Sequence, residues 1–334
     1  MTAVTTIGTS TAVTSSRGPR GLLWAMLRLH RWALWFWVLL VAVGAGALLW
    51  AYGPGADAAW SEYHRAGCGS TTASGLGCDL VGPAYTRYDT VAGIGAGLLG
   101  LAPFLTAGWA GAALIGRELE SGTAQLAWTQ SVSPARWLAA KLTVPAALLT
   151  TGMLVLTLLH RLVWSADGQL RAAMGSRSWY EGTTFEANGT VGISYALLGL
   201  AVGVLAGLLQ RRALPALGLA VVGLALLMTV LGTLRPYLWP LETLTNKHEY
   251  PPYIGMVVDE GALTSTGARV ADPICVDNTK CLAEHDIVGF YRDYHPSSHF
   301  WPLQLVETGI ALALAALAVV IAFRLLKRRT GAAV

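Results

Sequence analysis

Charge is what this sequence has least of. Only 13% of its 334 residues are Asp, Glu, Lys or Arg, while 54% are hydrophobic, a balance that a soluble domain of this length does not carry. The shortage identifies an integral membrane protein. The net charge of +4 is small and the basic residues are scattered over termini and short loops, so the basic stripe that a nucleic-acid partner needs is missing. Lysine is scarcest, with four (141, 247, 280 and 327) against nineteen arginines. That bias, with abundant Gly and Ala, fits a high-GC bacterial genome.

Other absences limit the chemistry. No Gly-x-x-x-x-Gly-Lys-Ser/Thr occurs, so the chain is not its own P-loop ATPase, and nucleotide chemistry must come from a partner. Gly95-Ala-Gly97-Leu-Leu-Gly100 matches a dinucleotide fingerprint in letters only, since it lies inside an apolar run with no preceding strand. Ionisable residues are almost missing from the apolar runs, the nearest being His160, Arg161 and Glu307. Intramembrane charges usually mark proton relays, so their scarcity argues against a proton-coupled carrier; Arg161 and Glu307 are expected to snorkel at the interface. Cysteines are few and all lie outside the apolar runs, at 68, 78, 275 and 281.

What the chain does have is six apolar runs, approximately 32–52, 91–115, 142–160, 191–209, 213–234 and 303–323, each near the roughly 20 residues that a helix needs to cross a membrane. The expected fold is an all-α, six-helix membrane protein. Residues 1–19 read as a Thr/Ser-rich cytosolic tail, and no signal peptide is expected. Leu22 to Arg31 is either an amphipathic interfacial helix or an extension of the first span. Together, 1–31 form a cytosolic tail and interfacial helix, 32–325 the transmembrane domain, and 326–334 a basic cytosolic tail.

With the N-terminus inside, basic residues collect on the inner segments at 17, 20, 28, 31, 117, 136, 141, 211, 212, 324 and 327–329, whereas of the acidic residues only Glu118 and Glu120 lie there. By the positive-inside rule both termini are cytosolic. The outer loops are then 53–90, 161–190 and 235–302, the last long enough for a small extracytoplasmic domain between helices five and six. Gly199, Gly203 and Gly207 share one face of helix four, where small residues let helices approach closely.

One hydrophilic stretch, Arg117 to Lys141, separates the second and third runs. Gly122-Thr123 breaks a helix, and Thr123 is placed to cap a short helix running to about Thr129 that projects Leu126 and Trp128. Ser133-Pro134 is an N-cap followed by proline at the first helical position, starting the next helix. The string Arg-Glu-x-Glu-x-Gly-Thr, then Leu-Ala-Trp-Thr-Gln-Ser-Val, then Arg-Trp-Leu-x-x-Lys-Leu resembles the permease subunits of ABC-2 type transporters, most closely their actinobacterial branch. Phe-Trp-x-x-Gln-x-x-Glu-x-Gly at residues 300–309 is also similar to that family.

The resemblance implies a non-catalytic permease subunit that binds no cofactor itself, ATP and Mg being held by a separate ABC ATPase. It implies a second permease copy, identical or paired, a bacterial cytoplasmic membrane, and export or flipping of an amphiphilic substrate. It makes 117–141 the coupling segment, with Glu118, Glu120, Gly122, Thr123, Leu126, Trp128, Thr129 and Gln130 as the ATPase-coupling residues. Pro134 departs from the family pattern, which has a basic residue there.

Two further readings concern the outer side. Cysteines on an oxidising face in pairs of short separation predict Cys68–Cys78 and Cys275–Cys281 bridges, with bridges between the two loops the alternative. His295 and His299, with Asp293, His285 and Cys281, outline a zinc set, but Pro296 between the histidines favours a plain surface loop. A membrane-embedded redox or metal enzyme using these groups, and a non-transporting sensor or immunity component, stand as alternative functions.

Overall fold

The computed structural model describes residues 27–68, 82–129, 132–166, 168, 170, 177–275 and 278–331. Six helical stretches are long and apolar enough to cross a membrane: Arg31–Arg65, Pro83–Glu120, Pro134–Ala166, Thr190–Gln210, Ala213–Tyr237 and Ser297–Thr330. Several outrun their apolar segments, because helical hydrogen bonds continue wherever nothing interrupts them, whatever the side chains. Residues 53–65, expected in a loop, therefore prolong the first helix. Of the expected interfacial helix, residues 22–26 lie outside the described residues and 27–29 are helical.

The first span comprises α1 (Arg31–Trp50), a π-helical turn at Ala51–Gly55 containing Pro54, and α2 (Ala56–Arg65). Proline has no N–H to give, and the register slips there. The second comprises α3 (Pro83–Trp109), a π-helical stretch Ala110–Gly116, and α4 (Arg117–Glu120). The short α5 (Thr123–Thr129) then leads to α6 (Pro134–Ala166). After α7 (Gly182–Ala187) come the fourth span, α8 (Thr190–Gln210), and the fifth, α9 (Ala213–Leu234). Arg211, in a left-handed conformation, makes the tight turn between those two.

The bundle is built around α8, which packs on α3, the second π-helical stretch, α6, α9 and the last helix, α11 (Phe300–Thr330). A Cβ added at Gly199 or Gly203 would stand 2.5 Å from the Pro103 carbonyl or 2.4 Å from the Ala107 carbonyl, and one at Gly207 would stand 2.7 Å from the Ile115 side chain. Here backbone lies on backbone.

Between spans five and six the fold departs from the all-α expectation. Strands β1 (Glu242–Asn246), β2 (Met256–Thr264), β3 (Arg269–Val270) and β4 (Ile287–His295), with a short α10 (Thr279–Glu284), form an antiparallel sheet of order β1-β4-β2-β3. The run Phe290-Tyr-Arg-Asp-Tyr-His, whose aromatics next to the last span suit an interfacial belt, instead lies in one of the two inner strands and is buried. Arg292 is clasped by Glu260 at 2.8 Å and lies under the Tyr253 ring at 3.5 Å. Cys275 and Cys281 are disulfide-bonded. Cys68 is also disulfide-bonded; Cys78, its expected partner, lies outside the described residues.

Polar locks tie this end of the bundle together. Glu307 is fully buried, accepts from Arg235 Nε at 2.6 Å and Nη2 at 2.9 Å, and also from the Tyr195 hydroxyl. This corrects the snorkelling expectation: the carboxylate has a guanidinium across the bundle and need not reach water. Gln304 donates to the Phe185 carbonyl at 2.6 Å and accepts from the Val191 amide at 3.0 Å, satisfying one orphan donor at the start of α8.

Two necks join the sheet to the bundle, one from α9 to β1 and one from β4 to α11. A histidine pair clasps them. The Pro236 carbonyl can only accept, so His295 Nε2 donates to it at 2.9 Å. His295 Nδ1 then accepts from His299 Nδ1 at 3.0 Å, and His299 Nε2 lies 3.3 Å from Glu242.

Two predictions follow from these contacts. Replacing Gly203 by Leu drives a side chain into the Ala107 carbonyl and should lower stability by roughly 1–3 kcal/mol, whereas Gly218→Ala, with open space around it, should be neutral or mildly stabilising; thermal unfolding in detergent compares them. Burial holds the His295 imidazole below its ordinary pKa of 6.5, with the facing His299 adding to that and the Pro236 carbonyl and Glu242 opposing it. The unfolded imidazole takes a proton near 6.5 and the folded one only at lower pH, so this contribution is complete above 6.5 and is lost as pH falls below it. Near-ultraviolet circular dichroism during melting should show the sheet losing stability on acidification, with a shallower slope in His295→Asn.

Candidate functional site at the turn between spans two and three

The second span ends by widening and then breaking. Its π-helical stretch brings Gly116 against the start of α9, where a Cβ would lie 3.1 Å from the Ala213 Cα. Gly122 then adopts φ +76°, a left-handed conformation that stops α4 and costs glycine little. The chain turns through Ser121-Gly122 into α5. At the far end Ser133 Oγ accepts from the Arg136 amide at 3.4 Å, and α6 starts on Pro134. Thr123 does not act as the expected cap: it is the first residue of α5, and its hydroxyl donates back to the Glu118 carbonyl at 3.3 Å.

The expected residues divide between anchoring and display. Glu118 accepts from Lys141 Nζ at 2.6 Å and from Trp137 Nε1 at 3.2 Å. Lys141, one of the basic residues assigned to the inner segments, is 1% exposed and also donates to the Leu114 carbonyl at 2.9 Å. Glu120 accepts from the Ala213 amide at 2.9 Å, fastening the turn to the start of span five. Trp128 is half-buried and meets Trp137 edge to face at 5.6 Å.

The geometry of α5 follows from helical spacing. Ala124, Ala127 and Trp128 fall on one face and pack against the bundle. Thr123, Leu126 and Thr129 fall on the other and are exposed, Leu126 at 61%. Gln130 lies outside the described residues. The result is a short helix held across the end of the bundle by its inner face, with a leucine at the centre of its outer face.

The zinc set drawn from the sequence does not assemble. Asp293 is bound by Arg269 at 2.6 Å, and each imidazole of the His295–His299 pair is engaged in the neck. Among the described residues, the one group with ligand atoms at metal spacing is Cys275, Cys281 and His285, but those sulfurs are bonded to each other and offer no thiolate.

The pairing of Glu118 with Lys141 escaped the sequence reading. The available signal was two isolated opposite charges bracketing one loop, which an antiparallel helix pair brings level with each other. Removing the carboxylate leaves a buried ammonium unpaired, so Glu118→Gln should cost about 3–5 kcal/mol. Lys141→Met should cost less, since Glu118 is nearer the surface, and the double variant should recover most of the loss in thermal unfolding.

Residues 38–235 match the model of the family described as ABC-2 membrane transporter related. The match runs from the first span to the end of the fifth and contains the whole of the 117–141 segment. Among curated proteins and among solved structures, none matches the chain. A match over more than half the chain, with six membrane-length helices in the order just described, leads to one conclusion: the chain belongs to the ABC-2 membrane transporter related family and is an ABC-2 type permease.

Proposed function

We propose that the chain is the non-catalytic, membrane-spanning part of an ATP-driven exporter or flippase for an amphiphilic substrate, and that a separate ABC ATPase docks on α5. The observation that carries this reading is Leu126, a large apolar side chain 61% exposed at the middle of a helix whose other face is fixed to α4 and α6. In this reading the ATPase holds ATP and Mg and closes on nucleotide. The push enters through Leu126 and Thr129, with Gln130 beyond them. Glu118 and Glu120 pass it on as a rigid-body displacement of spans two and three, because their hydrogen bonds leave little slack.

Two permeases, identical or paired, work with two ATPases. The distribution of basic residues supports a bacterial cytoplasmic membrane with both termini in the cytosol and the four-stranded sheet outside.

The experiment is Leu126→Asp. Its exposed site leaves the membrane fold intact, but a carboxylate pressed into an apolar groove without a partner costs several kcal/mol, so ATPase copurification and substrate-stimulated hydrolysis in lipid should both be lost. Glu120→Ala should weaken stimulation without abolishing binding, by loosening the turn from Ala213. Wild-type copurification and transport in Leu126→Asp would overturn the docking role of α5.

A further inference from the structure

A cavity of about 550 Å³ opens between the start of α1, the second half of α3 and the first half of α6. Local backbone chemistry makes the room. Pro103 and Pro145 interrupt the hydrogen-bond ladders of α3 and α6, and the π-helical stretch displaces Arg117 from where a regular helix would place it.

The lining is polar at one end only. Arg117 and His30 stand at the end near the 117–141 segment, whereas Trp37, Leu105, Leu148 and their neighbours make the rest apolar; no lining residue is acidic, and the nearby Glu118 carboxylate, 4.0 Å from His30 Nε2, is bound to Lys141. Two other polar groups are occupied: Trp37 Nε1 donates to the Leu148 carbonyl at 3.1 Å and the Thr106 hydroxyl to the Ala102 carbonyl at 2.7 Å. Arg117 is exposed, and among the described residues its guanidinium makes no ion pair, because Glu118 is taken by Lys141 and Glu120 by the Ala213 amide. The nearest carboxylates are spent on anchoring the turn.

Depth identifies the occupant. The lining begins at Leu27, and its stretch within the first apolar run, Trp32 to Leu40, covers about 12 Å at the helical rise, less than half of a hydrocarbon core of about 30 Å. The apolar part of the cavity therefore fits within one leaflet. It opens sideways beside Trp32 and Phe36, which are 75% and 56% exposed, and a lateral opening at this depth admits a molecule already lying in that leaflet.

We propose that the cavity binds one anionic phospholipid, its phosphate on the Arg117 guanidinium and one acyl chain between Trp37, Leu105 and Leu148. Only the assignment to the cytosolic leaflet rests on the proposed orientation. Arg117 precedes Glu118, which holds Lys141 and Trp137, so the bound phosphate braces the polypeptide next to the anchor of α5.

Native mass spectrometry of the purified full chain, exchanged from mixed micelles of phosphatidylglycerol and phosphatidylcholine, tests this. One phosphatidylglycerol should be retained per chain in preference to phosphatidylcholine. Arg117→Gln should lower that preference about tenfold, the value of one charge-assisted contact, and should weaken phosphatidylcholine less, because the choline ammonium already offsets the charge of its phosphate. Leu105→Trp, which fills the cavity from a partly exposed position, should reduce both lipids, with thermal unfolding reporting that the variant is folded.

Equal retention of the two lipids, or an undiminished preference in Arg117→Gln, would overturn the proposal. Displacement by excess inorganic phosphate would overturn the lipid assignment, and so would a second chain cross-linked to Phe36→Cys with no lipid retained. No ATPase is present in this measurement, and Leu126→Asp should retain lipid normally, so failure here and failure of the docking reading are separately visible.

Discussion

The contact on which the bundle depends is the backbone approach of α8 to α3 and the π-helical stretch. In a bilayer the lipid is as apolar as any side chain, so helices gain little by hiding leucines from it and associate through close packing instead. Three glycines one turn apart supply that packing along the second half of α8. Because Gly199, Gly203 and Gly207 meet Pro103, Ala107 and Ile115 in succession, the level of span two against α8 is fixed by close contact. That level places Glu118 opposite Lys141 and Glu120 beside Ala213. The position of α5 is thus set inside the membrane, well away from α5 itself.

Ionic contacts then sort to the two ends. Glu118 and Lys141 close one end, where Arg329 also donates to the Leu208 carbonyl at the end of α8. Arg235, Glu307 and Tyr195 close the other. Each charge is taken from water near a surface, where the penalty is smaller than at mid-membrane, and each has a partner on a different helix. Between the two belts no described contact between spans carries a charge; there the Trp37 indole donates to the Leu148 carbonyl across spans. The bundle can therefore shift as a unit between its ends without stranding a charge in hydrocarbon.

Much of this was legible in the sequence. Apolar runs placed all six spans, since twenty such residues have few other uses, and Gly122-Thr123 with Ser133-Pro134 bounded α5. Helix ends were less legible: residues 53–65 are polar enough, with Gly53-Pro54-Gly55 at their start, to look like a loop but remain helical because a π-helical turn accommodates the proline. The sheet was missed because Ile287–His295 is a buried inner strand rich in aromatics, which at a membrane boundary looks like an interfacial belt. The ion pairs were invisible because Glu307 and Arg235 are far apart in sequence, and a lone charge near a span end gives no sign of whether it faces water or another helix. Leu126 was legible as a projecting residue, but the half-burial of Trp128 depends on Trp137, which only the folded turn brings within reach.

The length of α11 has a consequence for the whole molecule. Its 31 residues reach about 46 Å at the helical rise, against a hydrocarbon core of about 30 Å. Both ends are pinned to water, one by Lys327, Arg328 and Arg329 and the other by the neck that continues into β4. The apolar run 303–323 takes up about 31 Å of this, so the excess is mainly the basic overhang at one end, and only a bilayer thinner than that run would tip the helix. Since β4 runs into α11 through only Pro296 and a single 3₁₀ turn, any tilt of the helix is handed on to the sheet.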